Sequence, residues 1–427
     1  MRNCFLKRFL QISSSSRFLN SSRRNKVSAP FIDKEGETAE SLRENPGFSY
    51  GLNWGLAGKG VIVKDKAFQN LKSSELLAKG ATIAGLPLHV RGTLGGNSTI
   101  SKAQYSKLLK QVTTHISSIS NIFVHDGAIG LSPESDAKVR VISDSPSAIL
   151  SLSRVLWETP TRAVSHDSCP LTVYTATSIS TAVEDIIGLG AQGNNGFIAA
   201  DIERSSLILC GKAFADINGT KLALTALSEP VIFARGGLPL SARLLVSCDS
   251  VVLLFAPENA IQSYSDLLVS ADAGVVLSPQ GVAPLFQTKK LGGINPYRIP
   301  SAVILATSDS SGTIPSISKL SPGQAAYHFL AGYQNGEFVP AYYAKGSSYI
   351  GVLDLAKTLL SKLKQYQVPT FLVNVDGGVE NITGKDLVKL VTSEKVAPFR
   401  LKGGDLQRKY NAFLSYKFQD IPEEFSF

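Results

Sequence analysis

The feature that most constrains the fold is a series of short apolar runs rich in β-branched residues. Runs of this length and composition are typical of strands buried on both faces of a sheet. Between them, apolar residues recur at helical spacing, as in Ser101–Ile119 and Leu353–Leu363. Strands that alternate with helices predict an α/β protein, or a mixed α+β one. The clearest strand runs are Leu171–Ala176, Leu207–Cys210, Val251–Phe255 and Ala302–Thr307.

Weaker patterns complete the predicted elements. We expect further helices at Ser147–Trp157 and Lys385–Val391. His125-Asp126-Gly127 is interpreted as a turn that ends a strand, and His328 as a hydrogen-bonded core histidine on a buried helix. The additional predicted strands are Ile122–Val124, Val139–Ile142, Gly196–Ala200, Gly274–Leu277 and Phe371–Val375.

Composition restricts the class of protein. The chain has 427 residues, of which 44% are hydrophobic and 18% charged, which suits two or three globular domains. No stretch approaches 18 apolar residues without charge, so we expect no membrane span. The four cysteines lack C-x-x-C spacing, which argues against a zinc site or a disulfide framework.

Most of the net charge of +9 lies at the start of the chain. Residues 1–32 contain seven arginines and lysines and no acidic residue, so the remainder carries 9 − 7 = +2. An arginine- and serine-rich, acid-free segment is typical of a mitochondrial transit peptide, although a chloroplast address and a basic tail are alternatives. We therefore expect import into the mitochondrial matrix and no nucleic-acid surface.

Several separated segments resemble ATP-dependent phosphoenolpyruvate carboxykinase, from about Gly51 to Leu390. Ser321–Gly332 reads S-P-G-Q-A-A-Y-H-F-L-A-G and is similar to the family's T-x-x-Q-x-x-Y-H-F-L-S-G. Ala302–Leu320 is similar to F-L-T-A-D-A-F-G-V-L-P-P-V-S-R-L, and Phe371–Asn374 to Y-L-V-N-T. Ile122–Ile142 resembles a strand-turn-strand of the N-terminal domain. The resemblance implies a two-domain carboxykinase-like scaffold with a phosphate loop after the Val251 strand.

That loop departs from the family pattern. A phosphate loop needs glycines whose N–H groups cradle the phosphates, followed by Lys and Ser/Thr. Here Ala256–Gln262 has no glycine and no lysine, Pro257 removes an N–H, and Glu258 repels phosphate. On the resemblance, the lysine and threonine positions hold Ile261 and Gln262. The degenerate loop positions are Ala256, Glu258, Ala260, Ile261 and Gln262.

Other substrate- and metal-binding positions implied by the resemblance also differ from the family pattern. In the loop similar to G-R-S-P-K-D-K, Lys64, Asp65 and Lys66 remain as a ligand-binding remnant, but Val61 replaces the substrate-clamping arginine. The metal stretch Y-G-G-E-M-K-K-G falls on Phe214–Lys221, with Gly219 and Thr220 at its lysines unless a one-residue slip retains Lys221. The metal-binding histidine falls near Pro239, and Asp272 alone remains of an acidic pair.

The predicted organisation has five parts. The carboxykinase-like N-terminal domain and the degenerate nucleotide-binding-like C-terminal domain meet near residue 235. The final segment is expected to be a docking tail or disordered. The five ranges are 1–32 (transit peptide), 33–50 (linker), 51–235 and 236–394 (the two domains) and 395–427 (polar and aromatic tail).

Three functions compete. The first is a non-catalytic mitochondrial protein, a binding or accessory subunit with a protein partner and no cofactor. The second, implied by the resemblance, is an active carboxykinase that converts oxaloacetate and ATP to phosphoenolpyruvate, CO2 and ADP in gluconeogenesis, with Mg²⁺ or Mn²⁺ and Asp272 as a metal ligand. The third is an enzyme with another site, such as His166–Cys169. Gly188–Gly193 fits G-x-G-x-x-G but lacks a preceding strand, so we interpret it as a loop.

Overall fold

The computed structural model describes most of the chain beyond residue 45. Tyr50–Phe427 form one compact unit, to which the contacts below belong. The described residues are 46–82, 100–158, 171–179, 196–247, 250–256, 261, 266–270, 272, 274–288, 296–334, 336–340, 350–375, 384–392, 396–400 and 405–427.

A seven-stranded mixed sheet occupies the first half of these residues. Its strands follow the order β1-β2-β3-β5-β7-β6, and β4 pairs with β2. β3, β5 and β7 run parallel, while β2 is antiparallel to β3. The strands are β1 (Lys66–Gln69), β2 (Asn121–Ile129), β3 (Ala137–Ser143), β4 (Trp157–Glu158), β5 (Leu171–Ala176), β6 (Ile198–Asp201) and β7 (Ser206–Cys210).

Helices cover both faces of this sheet. The first and third pack on one face, where Leu56 and Leu108 share an apolar cluster with Ile122 and Tyr174. The fourth and fifth pack on the other face, where Ile149 and Leu224 meet Val141. The helices are α1 (Pro46–Ala57), α2 (Ser73–Ala78), α3 (Lys102–Ser118), α4 (Pro146–Ser153) and α5 (Ile217–Ala234), and a 3₁₀ helix spans Gly211–Ala215.

A five-stranded sheet forms the core of the second half, in the order β14-β17-β13-β10-β9. β10, β13 and β17 are parallel neighbours, and each is buried on both faces. A separate three-stranded sheet has the order β12-β11-β8, and β15 pairs with β16. The strands are β8 (Leu238–Leu240), β9 (Arg243–Ser247), β10 (Ser250–Phe255), β11 (Val275–Ser278), β12 (Gly281–Pro284), β13 (Ala302–Thr307), β14 (Ile317–Leu320), β15 (Ala331–Gln334), β16 (Glu337–Pro340) and β17 (Thr370–Asn374).

Helices also sandwich the five-stranded sheet. Phe329 and Leu359 pack with Phe255 on one face, and Val388 packs with Leu254 and Ile304 on the other. The architecture is therefore mixed α/β, as the alternating pattern predicts. The helices are α6 (Pro322–Leu330), α7 (Val352–Tyr366), α8 (Gly384–Thr392) and α9 (Asp405–Lys417).

Several local predictions need correction. The helix predicted to reach Trp157 ends at Ser153, because Trp157 pairs with Ala128 of β2. His125-Asp126-Gly127 lies inside β2 rather than in a turn, since Arg140 of β3 lies opposite Asp126 and binds its carboxylate.

The end of the chain also differs from a disordered segment. Within 396–400 and 405–427, helix α9 buries Leu406, Tyr410 and Leu414, and Phe425 is 7% exposed. Helix α6 packs against the core through Ala325, Ala326, Tyr327, Phe329 and Leu330. The domain boundary near residue 235 stays a prediction.

Candidate functional site

The carboxyl ends of the parallel strands β10, β13 and β17 meet at one edge of the five-stranded sheet. In open α/β sheets, ligands bind outside this edge. Ala256 leaves the sheet here after β10, Ser308 after β13 and Val375 after β17. This edge is therefore the place to look for a nucleotide or substrate site.

The described part of the loop after β10 is apolar. Ile261 is 5% exposed and belongs to the same apolar cluster as Leu254 and Ile304, and Ala256 packs against that cluster. The side chain at the implied lysine position thus lies in the core. Glu258, Ala260 and Gln262 lie outside the described residues, so the predicted loss of phosphate binding there stays a prediction.

Asp309 organises the loop that follows β13. Its carboxylate accepts hydrogen bonds from the backbone N–H of Ser311 at 2.9 Å and of Ile314 at 2.8 Å, and from the Ser311 hydroxyl. Burial raises the pKa of Asp309, but these hydrogen bonds outweigh burial and hold the pKa below its usual value. Asp309 is therefore a charged structural group whose oxygens are already engaged.

Asn374 joins this loop to the neighbouring strand. The backbone N–H of Asp309 donates to Asn374 Oδ1 at 2.8 Å, and Asn374 Nδ2 donates to the carbonyl oxygens of Asp309 (2.9 Å) and Ile314 (3.2 Å). Asn374 is fully buried. Two segments that resemble the carboxykinase family, Ala302–Leu320 and Phe371–Asn374, thus meet in one hydrogen-bond network.

The structure brings Asp272 together with Lys221, the residue that a one-residue slip would place at a family lysine. Lys221 lies in the first turns of α5, and its Nζ is 2.6 Å from Asp272 Oδ2. The lysine side chain is 19% exposed and the aspartate 41%. Phe214 is half-buried, while Gly219, Thr220 and Pro239 are buried. The residues implied for metal binding therefore supply one carboxylate, and an ammonium group already neutralises it.

The ligand-binding remnant lies beside the seven-stranded sheet. Lys64, Asp65 and Lys66 are exposed, and within the described residues their side chains make no hydrogen bond or ion pair. Val61, at the implied position of the substrate-clamping arginine, is 0% exposed and shares an apolar cluster with Leu56 and Val112. A guanidinium at residue 61 would lie in the core instead of facing a ligand.

Sequence reasoning missed a polar cluster at the carboxyl ends of β3 and β5. Asp144 accepts hydrogen bonds from Thr177 N at 2.8 Å, Ser178 N at 3.0 Å and both hydroxyl groups. His115 Nε2 lies 3.0 Å from Ser178 Oγ and 3.2 Å from Asp144 Oδ2. Because one imidazole nitrogen contacts both partners, Asp144 does not orient His115 as a catalytic triad requires. The position of Asp144 and Ser178 just after predicted strands was the available signal.

A buried ion pair was also missed. Arg140 Nε is 2.7 Å from Asp126 Oδ1 and Arg140 Nη2 is 3.1 Å from Oδ2, while Gln69 Nε2 donates to Oδ2 at 2.6 Å. The neighbouring His125 is buried, its two ring nitrogens have no hydrogen-bond partner among the described residues, and burial lowers its pKa. These groups lie within strands, so their spacing along the chain gave no sign of the pairing.

The remaining sequence motifs are not placed. His166–Cys169 and Gly188–Gly193 fall outside the described residues. Over the part of the chain that the structure describes, no group of three or more His, Cys, Asp or Glu side chains could hold a metal ion. No helix there has the length and apolar character needed to cross a bilayer.

Comparison with known proteins agrees with this mixed α/β framework. The sequence model of the family described as phosphoenolpyruvate carboxykinase matches residues 284–338, which include β13, β14 and α6. The ATP-dependent phosphoenolpyruvate carboxykinase of Christiangramia forsetii is 37% identical over 87 residues, 18% of this chain and 16% of that protein. That of Leptospira biflexa is 36% identical over 87 residues, with the same coverage.

A shorter segment is more similar. The Flavobacterium johnsoniae enzyme of the same name is 59% identical over 34 residues, 8% of this chain and 6% of that protein. The matches therefore span less than a fifth of each of these relatives. The fold is that of an α/β protein, and its five-stranded sheet contains the segments that are similar to carboxykinases. Over these segments the chain is related to the ATP-dependent phosphoenolpyruvate carboxykinases.

Proposed function

We propose that this protein is a non-catalytic carboxykinase relative that acts in the mitochondrial matrix as a binding or accessory subunit. It would keep the two-domain carboxykinase scaffold without binding ATP, Mg²⁺ or Mn²⁺. The sequence similarity covers framework segments, so it supports the architecture more strongly than the activity.

The observation that carries the proposal is the direct contact between Lys221 and Asp272. A divalent cation needs several oxygen ligands, and carboxylates provide most of the charge that holds it. Asp272 Oδ2 lies 2.6 Å from Lys221 Nζ, so this pair offers a divalent cation one carboxylate and no further oxygen ligand. Without a metal and a phosphate cradle, the charge that develops in phosphoryl transfer is left unstabilised.

The burial of Val61 and Ile261 supports the same conclusion. On the resemblance, these positions carry the substrate-clamping arginine and the phosphate-loop lysine. Here both side chains pack in apolar clusters. Positioning of the reacting groups supplies a large share of enzymatic rate enhancement. A chain without both of these cations would lack the groups that position the substrate and the phosphates.

The alternative, an active ATP-dependent carboxykinase, is tested directly on the purified full-length chain. We expect no oxaloacetate-dependent formation of phosphoenolpyruvate with ATP and either metal. We also expect no rise in melting temperature, although a ligand at a hundred times its dissociation constant adds about 2.7 kcal/mol of stability. Turnover that is abolished by Asp272→Asn, and retained in the exposed control Asp354→Asn, would establish the alternative.

Targeting and partner binding need separate tests. Residues 1–50 fused to a fluorescent reporter should direct it to mitochondria, and cytosolic or plastid fluorescence would reject the proposed address. A pull-down from intact mitochondria, followed by sizing of the complex, should recover a stable assembly with another protein. A chain that runs only as a free monomer in such extracts would argue against an accessory subunit.

A further inference from the structure

Strand β1 forms an edge of the seven-stranded sheet. Among the described residues its only partner is β2, with which it pairs in parallel; Lys66 N donates to Ser120 O and Asn70 N donates to Val124 O. In a parallel ladder, alternate residues bond to the same neighbour, so the N–H and C=O groups of Ala67 and Gln69 point away from β2. Among the described residues these outward groups have no partner.

The residues at the start of β1 and just before it are mostly basic. Lys64 and Lys66 are exposed and flank a single acid, Asp65. Helix α3 carries two exposed lysines, Lys107 and Lys110, whereas its third, Lys102, is paired with Glu203 just after β6. Its inward face packs against the same apolar cluster as Val61, so α3 and the segment before β1 form one side of the molecule. An acidic ligand would be attracted to this side.

Two large apolar side chains are exposed on the segments that precede β1. Ile62 is 68% exposed and Trp54 is 63% exposed. A tight turn joins them: Val61 N donates to Leu56 O at 2.9 Å, and Gly60 adopts a φ of +80° that ends helix α1. The alternate residues Ile62, Lys64 and Lys66 are all exposed, which is the spacing at which an extended peptide presents its side chains.

We propose that β1 is the docking site for an extended acidic segment of a protein partner, which adds to the sheet as a further strand. Ala67 and Gln69 would supply backbone hydrogen bonds, Lys64 and Lys66 would bind carboxylates, and Ile62 and Trp54 would contact apolar residues of the segment. This inference rests on the proposed binding function and names the surface and the chemistry of the partner.

The edge geometry favours a peptide over a membrane surface. Interfacial binding to lipid needs a broad apolar helix face, whereas here two apolar side chains adjoin a strand with unsatisfied backbone groups. Short edges carrying lysine also protect proteins from aggregation. Under that explanation alone β1 would bind no peptide, which gives the test a clear negative outcome.

The full-length chain is tested with two synthetic ten-residue peptides, one alternating Glu and Val and the other alternating Lys and Val. We expect the Glu-Val peptide to bind in fluorescence anisotropy and to slow amide hydrogen exchange at Ala67 and Gln69, while the Lys-Val peptide does not bind. Ala67→Pro removes an outward N–H without touching the β1–β2 ladder, and it should abolish binding.

A second variant keeps the test valid if the proline disturbs folding. The double reversal Lys64→Glu/Lys66→Glu should weaken binding about tenfold. The matched control Lys357→Glu/Lys385→Glu changes the net charge equally at exposed positions of α7 and α8 and should bind like wild type. The proposal is overturned if the Glu-Val peptide fails to bind, or binds all variants equally.

Binding to phosphatidylserine vesicles that requires Trp54 but tolerates Ala67→Pro would assign the surface to membranes and equally overturn the proposal. These outcomes do not depend on the carboxykinase assay. Peptide binding can fail while the protein remains inactive, and turnover can be found while peptide binding succeeds.

Discussion

Replacing Ile261 with lysine tests where the loop after β10 lies. Ile261→Lys restores the residue that the resemblance implies for a phosphate loop. Its neighbours in the cluster include Leu254, Ile304 and Val388, all of them apolar and buried. The new ammonium group would therefore lose water without gaining a partner within this cluster.

The expected cost is large because an uncompensated buried charge destabilises a protein by about 3–5 kcal/mol. The cost should depend on pH. An exposed lysine has a pKa of about 10.4, and burial lowers the pKa because it disfavours the charged form. The unfolded state then binds more protons than the folded state below about pH 10, so stability falls by up to ~1.4 kcal/mol per pH unit as pH decreases.

Urea denaturation at pH 7 and pH 10 measures both effects. The controls are wild type and Ile261→Val. The valine variant removes one methylene-sized group and should cost about 0.5–1.5 kcal/mol at either pH. A lysine variant that loses less than about 1 kcal/mol at pH 7, with no recovery at pH 10, would refute the burial argument. We also expect Ile261→Lys combined with Gln262→Thr to show no carboxykinase activity.

Three further perturbations follow from the buried polar groups. Arg140→Met should cost about 3–5 kcal/mol because it strands the Asp126 carboxylate, whereas adding Asp126→Val should recover part of that loss in a double-mutant cycle. Burial lowers the pKa of His328 to about 3, so wild type should lose up to ~1.4 kcal/mol per pH unit below about pH 6.5, and His328→Leu should remove that slope in acid denaturation. Because folding lowers the pKa of Asp309, its ionised carboxylate stabilises the fold above the ordinary aspartate range, and this stabilisation is lost as pH falls through the folded-state pKa. Asp309→Asn should therefore cost about 1.5–3 kcal/mol at pH 7 and flatten the stability curve below about pH 4.

Elements with a strong local signal were predictable from sequence. The runs Leu171–Ala176 and Ala302–Thr307 coincide with β5 and β13, because strands buried on both faces are continuously apolar. Helix α3 follows its helical periodicity and begins at the capping box of Ser101 and Gln104.

Elements that depend on distant partners were not predictable. Strand β2 continues through His125-Asp126-Gly127 because Arg140 and Gln69 satisfy Asp126 from neighbouring strands. His328 is a core histidine as expected, yet its Nε2 has no hydrogen-bond partner among the described residues, and aromatic rings such as Phe399 and Phe427 surround it. Spacing along one segment carries no information about such cross-chain contacts.

The candidate site likewise combines features that were predictable from sequence with features that were not. Lys64 and Asp65 are exposed and precede β1, as expected for a loop, but Lys66 begins that strand. The contact between Lys221 and Asp272 joins residues 51 positions apart. Whether Lys221 occupied a retained position depended on a one-residue slip, which sequence alone left open. The helix register of α5 places its ammonium group against Asp272.

Residues that hold the fold together and residues that only contact a ligand contribute differently to stability. The buried Asn374 side chain bonds to the backbone of Asp309, so its replacement leaves those backbone groups unsatisfied. The buried Asp309 carboxylate accepts from the N–H groups of Ser311 and Ile314, so its replacement also leaves polar groups unsatisfied and costs stability. Ser321 and Gln324 likewise cap the start of α6. A residue that only contacts a ligand carries no such penalty, and an apolar replacement such as Val61 or Ile261 adds to the core. Under the proposed function, loss of ligand-binding residues would leave the fold intact or strengthen it, so the segments that build the fold could stay similar to carboxykinases while the implied chemical positions differ.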